Sequence, residues 1–120
     1  MNQNKTTLTV ALDGNSFEVK TRAVYQYDRG LKLKITGYDG SSALQLHFSN
    51  EDLAEAINMM VVQENGEYVS NIPDDLLLFD KNITAYVYEE DEETGAVIKK
   101  ITIPVTPRTR PNVLTFETPE

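Results

Sequence analysis

Apolar and polar residues alternate with a period of two along most of this chain, the spacing that turns one face of an extended strand to a core and the other to water. Leu8, Val10 and Leu12 alternate with Thr7, Thr9 and Ala11. Asp13-Gly14-Asn15 then offers turn residues, and Phe17 and Val19 resume the apolar side, so the pattern predicts an N-terminal hairpin over residues 1–22. The stretch "VYQYDRGLKLKITG" repeats that grammar. Tyr25 and Tyr27 share a face, Asp28-Arg29-Gly30 reads as a tight turn with glycine in the left-handed position, and Leu31, Leu33 and Ile35 continue as a second strand.

After a turn over residues 37–42, Leu44, Leu46 and Phe48 point inward and Gln45 and His47 outward. "SNEDLAEAINMMVV" fits two patterns, since Ser49 or Asn50 suits a helix cap while Ile57 to Val62 suits a buried strand; a short turn or helical bulge followed by a strand is expected. Asn65-Gly66 is a hairpin turn. "IPDDLLL" reads as one helical turn crossing between sheets. Ile83, Ala85 and Val87 alternate with Thr84, Tyr86 and Tyr88, and Val97 to Val105 form the partner strand, which Pro104 assigns to a sheet edge or ends. Four of the five prolines fall in the last seventeen residues, so residues 106–120 read as a Pro-rich extended arm or linker. About eight short strands with regular turn signals predict an all-β chain: an antiparallel, Ig-like β-sandwich over residues 23–105, preceded by the hairpin and followed by the arm.

Composition narrows the function classes. A 120-residue chain that is 40% hydrophobic and 25% charged is long enough to bury a core of its own. Its net charge of -8 repels a phosphate backbone, so nucleic acid is not an expected partner. There is no cysteine, hence no disulfide, thiolate nucleophile or thiolate metal site, which fits synthesis in a reducing cytoplasm. No stretch has the length of a signal-peptide core or a membrane span.

Candidate chemistry is sparse. His47, the only histidine, has Ser49 two positions along but no nucleophile elbow or oxyanion-hole glycines, so it reads as a surface residue. Glu89, Glu90, Asp91, Glu92 and Glu93 lack the spacing of a calcium loop and read as a solvated hairpin tip that discourages edge aggregation. Six tyrosines either pack as ordinary strand residues or form a sugar-stacking platform, with Tyr86 and Tyr88 as candidate glycan contacts. The residues set no catalytic constellation, cofactor site or metal site, and an enzyme is not expected.

Five segments in order, "YQYDRGLKLKITG", "LQLHFSN", "IPDDLLL", "ITAYVYEED" and "IKKITIPVTPRTRP", resemble small structural and fibre-anchoring domains of phages that infect Gram-positive (Firmicutes) hosts, similar in style to the N-terminal domain of baseplate upper proteins. The resemblance runs from Tyr25 to about Pro111. It departs at residues 1–22, which precede the usual "YQYD" start, and at Glu120, where a longer segment often begins. It implies a β-sandwich and a noncatalytic virion protein assembled in the host cytoplasm, an adaptor or anchor of the tail, baseplate or a fibre. Capsid decoration, a head fibre or a glycan-binding adhesion module are the alternatives. Other virion proteins and further copies of the chain are the expected partners, reached through sheet edges and through Pro107, Arg108, Arg110 and Pro111 of the arm.

Overall fold

A computed structural model describes residues 6–12, 14, 16–38, 43–53, 55–89 and 97–109. The strands are β1 (Thr7–Ala11), β2 (Glu18–Lys20), β3 (Val24–Tyr25), β4 (Lys32–Thr36), β5 (Ala43–Ser49), β6 (Ile57–Glu64), β7 (Glu67–Asn71), β8 (Ile83–Glu89), β9 (Val97–Ile103) and β10 (Val105–Thr106), with a 3-10 helical turn at Asp74–Leu78 between β7 and β8. Eight strands form one sheet in the order β1-β4-β7-β6-β5-β8-β9-β2, and β3 and β10 form a separate two-stranded ribbon. The chain is all-β, as its alternation predicts.

The sheet is mixed and barrel-like, which corrects the expected antiparallel Ig-like sandwich. From β4 through β7, β6, β5 and β8 to β9 each neighbouring pair is antiparallel. The two outermost pairings are parallel: β1 lies on β4, with Leu8 opposite Leu33 and Val10 opposite Ile35, and β2 lies on β9, with Val19 opposite Ile101. Since β1 and β2 are also packed beside each other, the sheet curls until its edges nearly meet. The expected hairpin over residues 1–22 is therefore not formed; its two arms pair with opposite edges of the sheet. Likewise β3 pairs with β10 rather than with β4, so "VYQYDRGLKLKITG" is not a hairpin. The strand ending at Pro104 is also internal, between β8 and β2, and the proline stands where β9 stops and β10 begins.

Turn chemistry behaves as its residues dictate. Asn65 and Gly66 both have positive φ, 54° and 81°, as a two-residue hairpin loop of right-handed strands requires. The inward positions Leu8, Val10, Leu33, Ile35, Leu44, Leu46, Phe48, Val61, Tyr68, Ile83, Ala85, Val87, Ile101 and Ile103 form one core. Leu76 and Leu77 of the 3-10 turn are fully buried in it, closing one end of the barrel.

Side chains hold the closing strand in place. The Thr102 hydroxyl donates to Glu18 Oε2 across the β2–β9 pair at 2.6 Å. That bond, helped by Lys100 and Lys20, holds the Glu18 carboxyl below the usual carboxylate range. Lys99 Nζ donates to Gly14 O at 3.0 Å and to Ser16 O, fixing the connection between β1 and β2.

If β1 belongs to the core rather than to a dispensable hairpin, Leu8→Ala should lower the free energy of unfolding by about 2–5 kcal/mol. The exposed neighbour change Thr9→Ala should stay within about 0.5 kcal/mol of wild type. Urea denaturation compares the two, and equal midpoints would place Leu8 outside the cooperative core.

Candidate functional site

The "YQYD" stretch is built around the exit of the C-terminal segment. Val24 N donates to Pro104 O at 2.9 Å and Gln26 N to Thr106 O at 2.9 Å, so the β3–β10 ribbon continues the alignment begun by β2 and β9. The chain then reverses. Asp28 N donates to Tyr25 O at 3.1 Å, and Asp28 Oδ2 accepts from Tyr25 N at 3.0 Å. Tyr27 occupies the third position of this turn with φ of 73°, where glycine or asparagine is usual. A bulky side chain in the left-handed region costs on the order of 1–2 kcal/mol. The Tyr27 N–H, bonded to Leu77 O at 2.7 Å, helps to hold it there.

One buried amide joins the pieces. Gln26 Nε2 donates to Leu78 O at 3.1 Å, and Gln26 Oε1 accepts from Arg108 N at 3.2 Å. The same side chain thus grips the 3-10 turn that plugs the barrel and the segment that leaves it. Arg108 also reaches Asp28 Oδ1 at 3.6 Å, a partly exposed pair worth at most about 1 kcal/mol. Nearby, Asp74 Oδ1 accepts from Gly30 N at 3.1 Å, tying the loop to the start of the 3-10 turn.

Of the four arm residues named from sequence, Arg108 is held at this clamp and Pro107 directly precedes it, both exposed; Arg110 and Pro111 lie outside the described residues. Gln26 was missed. Its signal was present, because Gln26 falls two positions after Val24 and so on the side opposite Tyr25 and Tyr27, and like Val24 it is buried although it lies just past the end of β3.

Tyr86 and Tyr88 lie half-buried on the outer face of β8, with His47 opposite Tyr86 and Gln45 opposite Tyr88 on β5. The His47 and Tyr88 rings sit 4.2 Å apart at 32°, so one face of Tyr88 is taken up by the imidazole. His47 Nε2 lies 3.1 Å from Gln45 Oε1. Desolvation holds the His47 imidazole below its ordinary pKa. Lys100 faces Tyr86 from β9. Among the other tyrosines, Tyr68 is buried and Tyr38 packs against it at 6.3 Å. The acidic loop from Glu90 to Glu93 lies outside the described residues.

Two grooves lie among the described residues. One, of about 420 Å³, is polar and contains Lys81, which pairs with Glu51 at 3.4 Å and Asp80 at 3.9 Å. The other, of about 370 Å³, lies between β6 and β7 and is lined by Met60, Val62 and Val69 with Glu64 and Glu67. Among the described residues no group of three or more His, Asp or Glu side chains is arranged to hold a metal ion, and no helix is long and apolar enough to cross a membrane.

Gln26→Ala should leave the barrel folded but free the C-terminal segment, losing about 1–3 kcal/mol of stability from unpaired Leu78 O and Arg108 N. Limited trypsin digestion read by mass spectrometry should then cut faster after Arg108; an unchanged rate would mean that the amide does not hold the segment. His47 gives a second readout. Because burial favours its neutral form, it supports folding above the ordinary histidine pKa near 6.5 and loses that support as pH falls toward the lower folded value. An NMR titration of this single imidazole should show a depressed midpoint that Tyr88→Ala raises toward normal; no movement would assign the desolvation elsewhere.

No family model and no curated protein sequence matches the chain. Among solved structures, the chain is similar to the N-terminal domain of phage TP901-1 ORF48, with 18% identity, a TM-score of 0.48, and coverage of 83% of this chain and 96% of that one.

Proposed function

We propose that this chain is a noncatalytic structural module of a phage particle, an adaptor or anchor of the tail, baseplate or a fibre that binds neighbouring subunits through its C-terminal segment. The observation that carries the reading is the clamp on that segment. A buried side chain, Gln26, is committed to holding Arg108 as the chain leaves the barrel. Binding energy spent on anchoring an exit point makes physical sense when the downstream segment must be presented in a defined direction. The ordered sequence segments that resemble phage fibre-anchoring domains support the same setting. A glycan-binding role gains less support, since Tyr88 is stacked on His47 and both tyrosines are half-buried.

Nanogold labelling of the chain on intact particles from an induced host, read by electron microscopy, tests the proposal. Label at the tail tip is the expected result, and label over the head would move the same module to capsid decoration or a head fibre. Absence from denatured particle protein would overturn the virion reading. Truncation after Thr109 should leave a folded barrel that no longer enters particles.

A further inference from the structure

We infer that Asn65-Gly66 is a self-modifying site, at which the Gly66 nitrogen closes on the Asn65 carboxamide, expels ammonia and leaves an isoaspartyl turn that unlatches β6 from β7. Nothing in this chemistry depends on the virion reading above.

No other asparagine in the chain is followed by glycine. Both residues lie exposed at the tip of the β6–β7 hairpin. Several features leave the reacting atoms open. Glycine carries no side chain to shield its nitrogen, and no atom lies within 4 Å of where a Gly66 side chain would begin. Among the described residues neither the Gly66 N–H nor the Asn65 carboxamide is held in a hydrogen bond. The turn, with φ of 54° at Asn65 and 81° at Gly66, is restrained only by the two pairs beside it, Gln63–Tyr68 and Glu64–Glu67. Local opening at such a tip is among the least costly motions of a fold, and it brings the nitrogen to Cγ.

The step balances with water as the one co-reactant. The Gly66 nitrogen gives its proton to solvent base and bonds to Asn65 Cγ; the Cγ–Nδ2 bond breaks and ammonia leaves. Water then opens the five-membered imide at either carbonyl. Breaking the bond to Cγ gives an ordinary aspartyl residue. Breaking the bond to the main-chain carbonyl carbon instead routes the chain through Cβ and Cγ, which inserts one extra carbon into the backbone. No atom changes oxidation state.

That insertion falls where the wall is least secured. Beyond the turn β6 bonds to β5 and β7 bonds to β4, so the two pairs beside Asn65-Gly66 are the ladder that joins β1-β4-β7 to β6-β5-β8-β9-β2. A two-residue loop fixes the register of its strands, and a longer backbone at its first position no longer matches the Glu64–Glu67 pair. Charge acts in the same direction. The new carboxylate stands between Glu64 and Glu67, while Lys34 is already paired with Glu67 at 3.4 Å. Repulsion among these acids favours the open hairpin.

Full-length protein stored at mildly alkaline pH tests the inference. Peptide mass spectrometry should show the amide-to-acid mass gain at Asn65 severalfold faster than at Asn58 and Asn71, which are also exposed but are followed by Met59 and Ile72. The rate should rise with pH, and isoaspartyl methyltransferase should label the product. Hydrogen exchange should then show lost protection at the β6 and β7 amides of the converted fraction. Asn65→Gly keeps a residue suited to positive φ and lacks the carboxamide, so its protection should survive the same storage. Conversion no faster at Asn65 than at Asn58 and Asn71 would overturn the inference, as would isoaspartate at position 65 with β6 and β7 exchange unchanged. Equal loss of protection in Asn65→Gly would do the same. Low urea separates the remaining route: the rate should barely respond, and a rate that rises in proportion to global unfolding would move the reaction to the unfolded chain and overturn it.

Discussion

Parallel pairing of Thr7–Ala11 and Glu18–Lys20 with two distant strands is the constraint on which the rest of the barrel depends. β1 completes the sheet beyond β4, β2 completes it beyond β9, and the short connection between them draws the two edges together. Both strands turn apolar residues inward, Leu8 and Val10 from one and Val19 from the other. Without them, β4 and β9 would be open edges along a buried core, with Leu33, Ile35 and Ile101 losing their cover. Parallel pairs join residues far apart in sequence, so the entropy of closing those loops is recovered only when the core forms as a whole. Drawing the two edges together also narrows the ordinary route to edge-to-edge association.

The same alignment carries through to the exit of the chain. β2 lies on β9, and after Pro104 the ribbon resumes as β3 on β10, shifted off the main sheet. Pro104 cannot donate to a ladder, yet its carbonyl accepts from Val24, so the break costs little pairing. Gln26 then couples this ribbon to the 3-10 turn, and Tyr27 is held in a strained turn between them. Strain of this kind persists only where surrounding bonds over-determine it. Here those bonds come from Leu77 O, the Tyr25–Asp28 turn and Gly30 with Asp74. The barrel plug, the loop and the departing segment thus form one hydrogen-bonded unit.

Alternation made most strands legible, because burial on one face writes period two directly into the residues. Leu44, Leu46 and Phe48, and Ile83, Ala85 and Val87, are buried as their spacing required, and Asn65-Gly66 formed the turn its chemistry demands. Partner choice was less legible. Asp13-Gly14-Asn15 between two alternating runs looks the same whether the runs pair with each other or with strands far along the chain, since period two reports a face and not a neighbour. Asp28-Arg29-Gly30 misled for the same reason: Gly30 does take positive φ, but in a loop between sheets. The clamp was half legible. Arg108 stood out in a proline-rich stretch, whereas Gln26 lies between two tyrosines and nothing in the local pattern names its distant partners, Leu78 and Arg108.

The barrel is not fully closed: β1 and β2 end the strand order without pairing with each other, and β6 and β7 pair only beside their turn. The clamp has a mechanical consequence. By holding Arg108 against the barrel, Gln26 and Asp28 fix the place and direction in which the C-terminal segment leaves, which lowers the ordering cost of a contact made by that segment.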